Sequence, residues 1–213
     1  MFAVAAAPLR LAAHGGEADI LFTRGVVEIE RGEYAAAREH LSAARTLRPN
    51  DAPTFFNLGV ALNRLGEYAG ALDALDAAAG LDPVHPGLDL ERGYSLAGLG
   101  MYAEAVPLLK RAAAEEPDSG FACCLLGMSL AGAGEHEKAL VQFDRAGALS
   151  PELRGVSSYR AALSLAALGR GREARDSLAA LIAGEPAGSG LAIDARDALD
   201  RLKKEGSPKR WRL

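Results

Sequence analysis

The stretch APTFFNLGVALNRLGEYAGALDALDAAAGLDPVH, residues 52–85, decides the fold. It reads as a helix, a Gly66-Glu67-Tyr68 turn, a second helix, and then Leu81-Asp82-Pro83. Its marker residues recur along the chain. Gly59 has counterparts in Gly25, Gly93 and Gly127, spaced 34 residues apart. The turn glycine recurs as Gly32, Gly66, Gly100, Gly134 and, one residue late, Gly169. An alanine early in the second helix recurs as Ala37, Ala71, Ala105, Ala139 and Ala174. A proline closes each copy, as Pro49, Pro83, Pro117, Pro151 and Pro186. Self-similarity at a period of about 34 residues is the signature of a stacked helix-turn-helix array.

Each column has a physical reason. Gly59 lacks a side chain, so the two helices of one repeat can approach closely there. Ala71 and Ala78 are small on the facing helix, and Leu75 is expected to fill the hole between repeats. Gly66 stands where the first helix must stop, a position that suits a left-handed C-cap. Pro83 cannot continue a helix and so ends the second one. No helix pair buries its apolar faces alone; stacking buries them.

This pattern resembles the tetratricopeptide repeat family. The resemblance covers five repeats within residues 18–188: 18–51, 52–85, 86–119, 120–154 (with one extra residue, Arg154) and 155–188. The family pattern has a small residue at the eighth position of each repeat and alanine at the twentieth. A large apolar residue follows at the twenty-fourth, alanine at the twenty-seventh and proline at the thirty-second. Repeat two meets all five with Gly59, Ala71, Leu75, Ala78 and Pro83. Departures are Asp89 and Ser158 at the fourth position, Glu28 at the eleventh, and Ala162 and Leu181 in repeat five. They imply looser local packing in repeats one, three and five. The implied fold is all-α, a right-handed superhelical solenoid of antiparallel helix pairs.

Composition fits. The chain has 213 residues, of which 49% are hydrophobic but only 6% aromatic. Alanine-rich sequence favours helices and close helix packing. The net charge of −4 is too balanced for a general nucleic-acid binder. Cys123 and Cys124 are adjacent, so on a helix their side chains point about 100° apart and a bridge between them is disfavoured. No apolar run approaches the ~18 residues needed to span a bilayer.

Outside the repeats, residues 1–17 read as an N-terminal arm. Residues 2–8 are apolar, and Ala3-Val4-Ala5 has the small residues of a signal cleavage site, but no basic region precedes them. His14-Gly15-Gly16 reads as a loop. Pro107 falls near the start of the second helix of repeat three; it costs little within the first turn and bends the helix if deeper. Residues 189–205 carry Leu191, Ala195, Ala198, Leu199 and Leu202 at helical spacing, which predicts an amphipathic capping helix over repeat five. Residues 206–213 form a basic tail containing Lys209-Arg210-Trp211-Arg212.

The residue pattern points away from catalysis. The four histidines, His14, His40, His85 and His136, have no metal-ligand spacing. Cys123-Cys124 lacks the C-x-x-C arrangement, and the Gly-x-Gly pieces fall on repeat turns after helices, not after strands. No catalytic residue, metal or cofactor is expected, and the chain reads as a non-enzyme.

In the family, the first helices line a concave face through their second, fifth, ninth, twelfth and thirteenth positions. Carried over, the resemblance implies a partner-binding groove of Phe22, Val26, Phe56, Val60, Asn63, Arg64, Leu90, Tyr94, Phe121, Cys124, Met128, Tyr159 and Leu163. Val156, Ile29 and Glu30 occupy further positions of the same set. Such an apolar, aromatic patch marks a partner site and suits an amphipathic helix or extended segment. Alternatively these residues cover one another or meet the N-terminal arm. Chaperone-binding members of the family hold a terminal carboxylate with lysine, arginine and asparagine. Here Asn57 and Arg64 offer polar groups, but Phe22, Val26 and Gly87 stand where the clamp would be, so recognition of an acidic C-terminus is disfavoured.

The expected function is a bacterial protein–protein interaction scaffold with a protein or peptide partner, with self-association through the ends open. A second reading is a periplasmic module of an envelope or outer-membrane assembly, resting on the apolar start and the basic-aromatic tail. A third, RNA contact through convex-face and tail cations, is opposed by the balanced charge.

Overall fold

The computed structural model describes residues 16–205. The expectations for residues 2–8, for His14-Gly15 and for the tail 206–213 lie outside the described residues. Among the described residues eleven α-helices run in order: α1 (Glu17–Arg31), α2 (Tyr34–Leu47), α3 (Ala52–Arg64), α4 (Tyr68–Leu81), α5 (Leu88–Gly98), α6 (Tyr102–Glu115), α7 (Gly120–Gly132), α8 (His136–Leu149), α9 (Arg154–Ala167), α10 (Gly171–Gly184) and α11 (Gly190–Glu205). Among the described residues there is no strand. The protein is all-α, built from antiparallel helix pairs.

Sequence explains the ends of these helices. Asp51 caps α3 by accepting from the Thr54 N–H at 3.1 Å, and Ser119 caps α7 by accepting from Ala122 at 3.3 Å. The turn glycines Gly32, Gly66, Gly100, Gly134 and Gly169 all have φ between 76° and 82°. An added Cβ would meet nothing within 4 Å at any of them, so conformation, not space, requires glycine there. Pro107 is the sixth residue of α6, beyond the first turn, and has no N–H to offer the carbonyl of Ala103. The first helix of repeat five is preceded by a separate turn. Pro151–Leu153 form a 3-10 turn closed by Leu153 N–H to Ser150 O at 2.9 Å, and α9 begins at Arg154, the extra residue itself.

The chain divides into two compact units, Met1–Leu99 and Gly100–Leu213. In the N-terminal unit, Ile29, Leu41, Phe56, Leu58, Val60 and Leu75 form the core. A Cβ on Gly59 would lie 2.5 Å from Leu75 Cγ, and one on Gly25 the same distance from Leu41 Cγ. Leu75 therefore fills the gap within its own repeat, and it belongs to a core cluster that spans residues of repeats one to three. Between repeats the fit is different: Tyr68 lies against Gly98, where a Cβ would come within 2.5 Å of its ring. Burying a leucine side chain contributes roughly 1.5–3 kcal/mol, so each such column is a substantial part of the stability.

The C-terminal unit repeats both contacts. Phe143 takes the leucine slot against Gly127, at 2.8 Å from an ideal Cβ, and Tyr102 lies against Gly132. Ala139, Phe143, Ala174 and Leu178 are all at most 1% exposed. Helix α11 buries Ala195, Ala198 and Leu202 in one cluster with Ala162, Ala166 and Leu178 of repeat five. Ser189 caps α11 by accepting from Ala192 N–H at 3.1 Å. At the eleventh position of repeat one, in the N-terminal unit, Glu28 is half-buried and bonded to His40 Nδ1 at 2.8 Å, so a departure from the repeat pattern finds a partner on the facing helix.

Candidate interaction surface

In the N-terminal unit, helices α1, α3 and α5 bring the fifth, ninth, twelfth and thirteenth positions to one side. The structure corrects the expectation that these positions are open. Val26, Phe56, Val60 and Asn63 are buried, while Phe22, Arg64, Leu90 and Tyr94 are half-buried. Phe56 is covered because its ring stacks on His85, with centroids 4.2 Å apart and planes tilted by 32°. Gly87, with φ +78°, lets the chain pass close to Phe56; a Cβ there would sit 3.5 Å from Cζ. Val60 is fully enclosed in the core of α3 and its neighbours.

Asn63 and Arg64 are tied up by an acid that the family positions did not single out. Glu91, in the first turn of α5, is 4% exposed. Arg64 grips it with both arms, Nη2 to Oε1 at 2.8 Å and Nη1 to Oε2 at 3.2 Å. Asn63 Nδ2 donates to Glu91 Oε2 at 2.8 Å and to its carbonyl at 2.9 Å. Ser95 Oγ donates to Asn63 Oδ1 at 2.7 Å. Tyr94 roofs the pair, with the Arg64 guanidinium 5.4 Å from its ring centroid, and meets Tyr68 edge-on at 5.9 Å. Burial alone would lower the Arg64 pKa, but the Glu91 charge and hydrogen bond outweigh it and hold Arg64 above its ordinary value. Burial likewise pushes Tyr94 up. The side expected to be apolar thus contains a satisfied ion pair, closed by its own residues.

In the C-terminal unit, α7 and α9 supply the corresponding face. Cys124 is buried, and this too corrects the expectation of an open position. Phe121, Met128, Tyr159 and Leu163 are half-buried, with Met128 packed on the Cys123–Cys124–Ala146 cluster and Tyr159 and Leu163 on the repeat-five cluster. Both thiols are free, and burial pushes both pKa values up. A nucleophilic role needs a thiolate, which these surroundings disfavour. The Ser157 hydroxyl lies 4.0 Å from Cys124 Sγ. Arg160, which the family positions also passed over, lies near enough to Cys124 and Tyr159 to favour their ionised forms against the stronger opposing effect of burial.

Among the described residues no group of three or more His, Cys, Asp or Glu side chains is placed to hold a metal ion. No helix among them is long and apolar enough to cross a membrane. An open cleft of about 680 Å³ lies on the other side of the C-terminal unit, between α8 and α10 with α9 as its floor, lined by Leu140, Arg154, Leu165, Arg170 and Leu181 among others.

Comparison with known proteins places this architecture. The structure of MamA residues 41 to the end, from Desulfovibrio magneticus RS-1, is 21% identical, with a TM-score of 0.65 over 91% of this chain and 98% of that one. YrrB, described as a TPR protein with an unusual peptide-binding site, is 22% identical, with a TM-score of 0.68 over 83% and 90%. A tetratricopeptide repeat protein from Parabacteroides merdae ATCC 43184 is 19% identical, with a TM-score of 0.71 over 90% and 75%. At these identities the likeness is one of fold. No curated protein matches the sequence. The tetratricopeptide repeat model matches residues 22–86 and 90–152, more than half of the chain. By that match, and by the glycine, alanine and proline columns that the structure puts to use, the chain belongs to the tetratricopeptide repeat family.

Proposed function

We propose that this protein is a protein–protein interaction scaffold that binds an apolar or aromatic segment of a partner along its first helices. The observation that carries the reading is the half-buried set Phe121, Met128, Tyr159 and Leu163 on α7 and α9. Each presents part of an apolar side chain to solvent while its base is fixed in the core. Side chains held in that way lose little entropy on binding, which favours affinity. Phe22, Leu90 and Tyr94 offer a smaller set of the same kind in the N-terminal unit. The description of YrrB as having a peptide-binding site supports a peptide ligand by analogy of fold. Buried Val26, Phe56, Val60, Asn63 and Cys124 support the face from beneath and are not contacts.

The test is selection of twelve-residue peptides from a random displayed library on the wild-type chain and on Met128→Lys/Leu163→Lys. Lysine stems lie along apolar surface with their heads in water, so the helical circular-dichroism signal is expected to stay intact. The wild type should enrich peptides with spaced apolar and aromatic residues, and the double variant should not. Identical enrichment on both chains, or none on the wild type, would overturn the reading.

A further inference from the structure

Position six of a repeat's first helix is treated differently in the two units. In repeat three it is Glu91, met by Asn63 and Arg64 at the twelfth and thirteenth positions of the repeat before. In repeat five it is Arg160, and the twelfth and thirteenth positions of the repeat before are Ala131 and Gly132. Neither has a side chain that can accept a hydrogen bond from a guanidinium. Arg160 Nε is buried and has no acceptor. Asp194 and Asp197 of α11 act electrostatically on neighbouring Tyr159, yet neither is ion-paired with Arg160. A buried donor without a partner is a rarity that calls for an explanation. Arg160 acts electrostatically on Cys124 and Tyr159 of this face, where Asp194, Asp197 and Arg201 also act on Tyr159.

We propose that Arg160 receives the side-chain carboxylate of an aspartate or glutamate set among the apolar residues of the bound segment. The inference rests on the scaffold reading and adds the partner's chemistry to it. A planar guanidinium fork matches a carboxylate, and the charge-assisted bonds are stronger and more directional than neutral ones. The carboxylate restores at this junction the pairing that Glu91 gives Arg64 inside the N-terminal unit.

The same displayed library tests this, because its peptides are fused at their C-termini and carry only side-chain carboxylates. Peptides enriched on the wild type should share one Asp or Glu flanked by apolar residues. The best of them, made as a labelled, amidated synthetic peptide, should bind Arg160→Gln about 10–100-fold more weakly. The same peptide with its acid changed to Gln should lose a similar factor on the wild type and nothing further on Arg160→Gln, since the two losses describe one contact. Arg160→Met repeats the cycle if the Gln variant loses its helical signal. Enriched peptides without a shared acid, or two losses that simply add, overturn this inference and leave the scaffold reading in place. Absence of any enriched peptide overturns both.

Discussion

The two units use the same packing and differ in how they treat charge. In the N-terminal unit the junction between α3 and α5 is shut: Glu91 is held by Arg64, Asn63 and the Tyr94 roof. In the C-terminal unit small residues, Ala131 and Gly132, hold the repeat positions that Asn63 and Arg64 hold in the other, and Arg160 Nε is left without a partner. Where the polar groups satisfy one another, the junction has no further hydrogen-bonding demand. Where they do not, a donor at the same position in the repeat stays without a partner among the described residues. Repeat register therefore fixes where a charged residue stands, and the residues at the matching positions of the repeat before decide whether the fold pairs it.

That contrast can be broken at several points. Glu91→Ala should cost about 3–5 kcal/mol in urea unfolding, because it strands Arg64 and Asn63 without their buried anion; a loss below 1 kcal/mol would mean that the junction is wet and the contrast false. Phe143→Ala, at about 3–5 kcal/mol, and Leu75→Ala, at about 2–5 kcal/mol, should show that the interiors of the two units are equally packed. A marked disparity between them would move the difference from the junctions to the cores. Gly66→Ala and Gly134→Ala should each cost about 1–2 kcal/mol through the left-handed backbone, measured by thermal melting. Arg160→Gln should leave the melting temperature almost unchanged or raise it slightly, since it removes an unsatisfied donor and no ion pair. Last, iodoacetamide at neutral pH should label neither Cys123 nor Cys124 in the folded chain and both in denaturant, because burial holds the thiols protonated. Rapid native labelling would show that the α7 face opens.

The fold could be read almost entirely from residues 52–85 because its rules are local and repeat. A glycine that must turn left, an alanine that must be small and a proline that must stop a helix leave marks that recur every 34 residues. The face was legible in register but not in depth. Family positions named Phe56 and Val60 as partner contacts, yet His85 lies over Phe56 and α3's neighbours enclose Val60. Sequence alone does not say how far one helix leans on the next. Glu91 and Arg160 were missed because position six is outside the family's binding set. A signal was present, however. Asn63 and Arg64 were the two polar residues of that set in repeat two, and their acid stands 28 and 27 residues further on, in the first helix of the next repeat.

The tyrosines at the start of α4 and α6 have an evolutionary consequence. Tyr68 is received by Gly98 and Tyr102 by Gly132, so these two joints share one plug and one socket. At the preceding joint the socket position is held by Arg64, which feels Tyr34 electrostatically. Module three could therefore be duplicated in place during gene rearrangement with its joints intact. Moving module two behind any other would present an arginine where the socket must be empty, and would free that arginine from the glutamate that neutralises it.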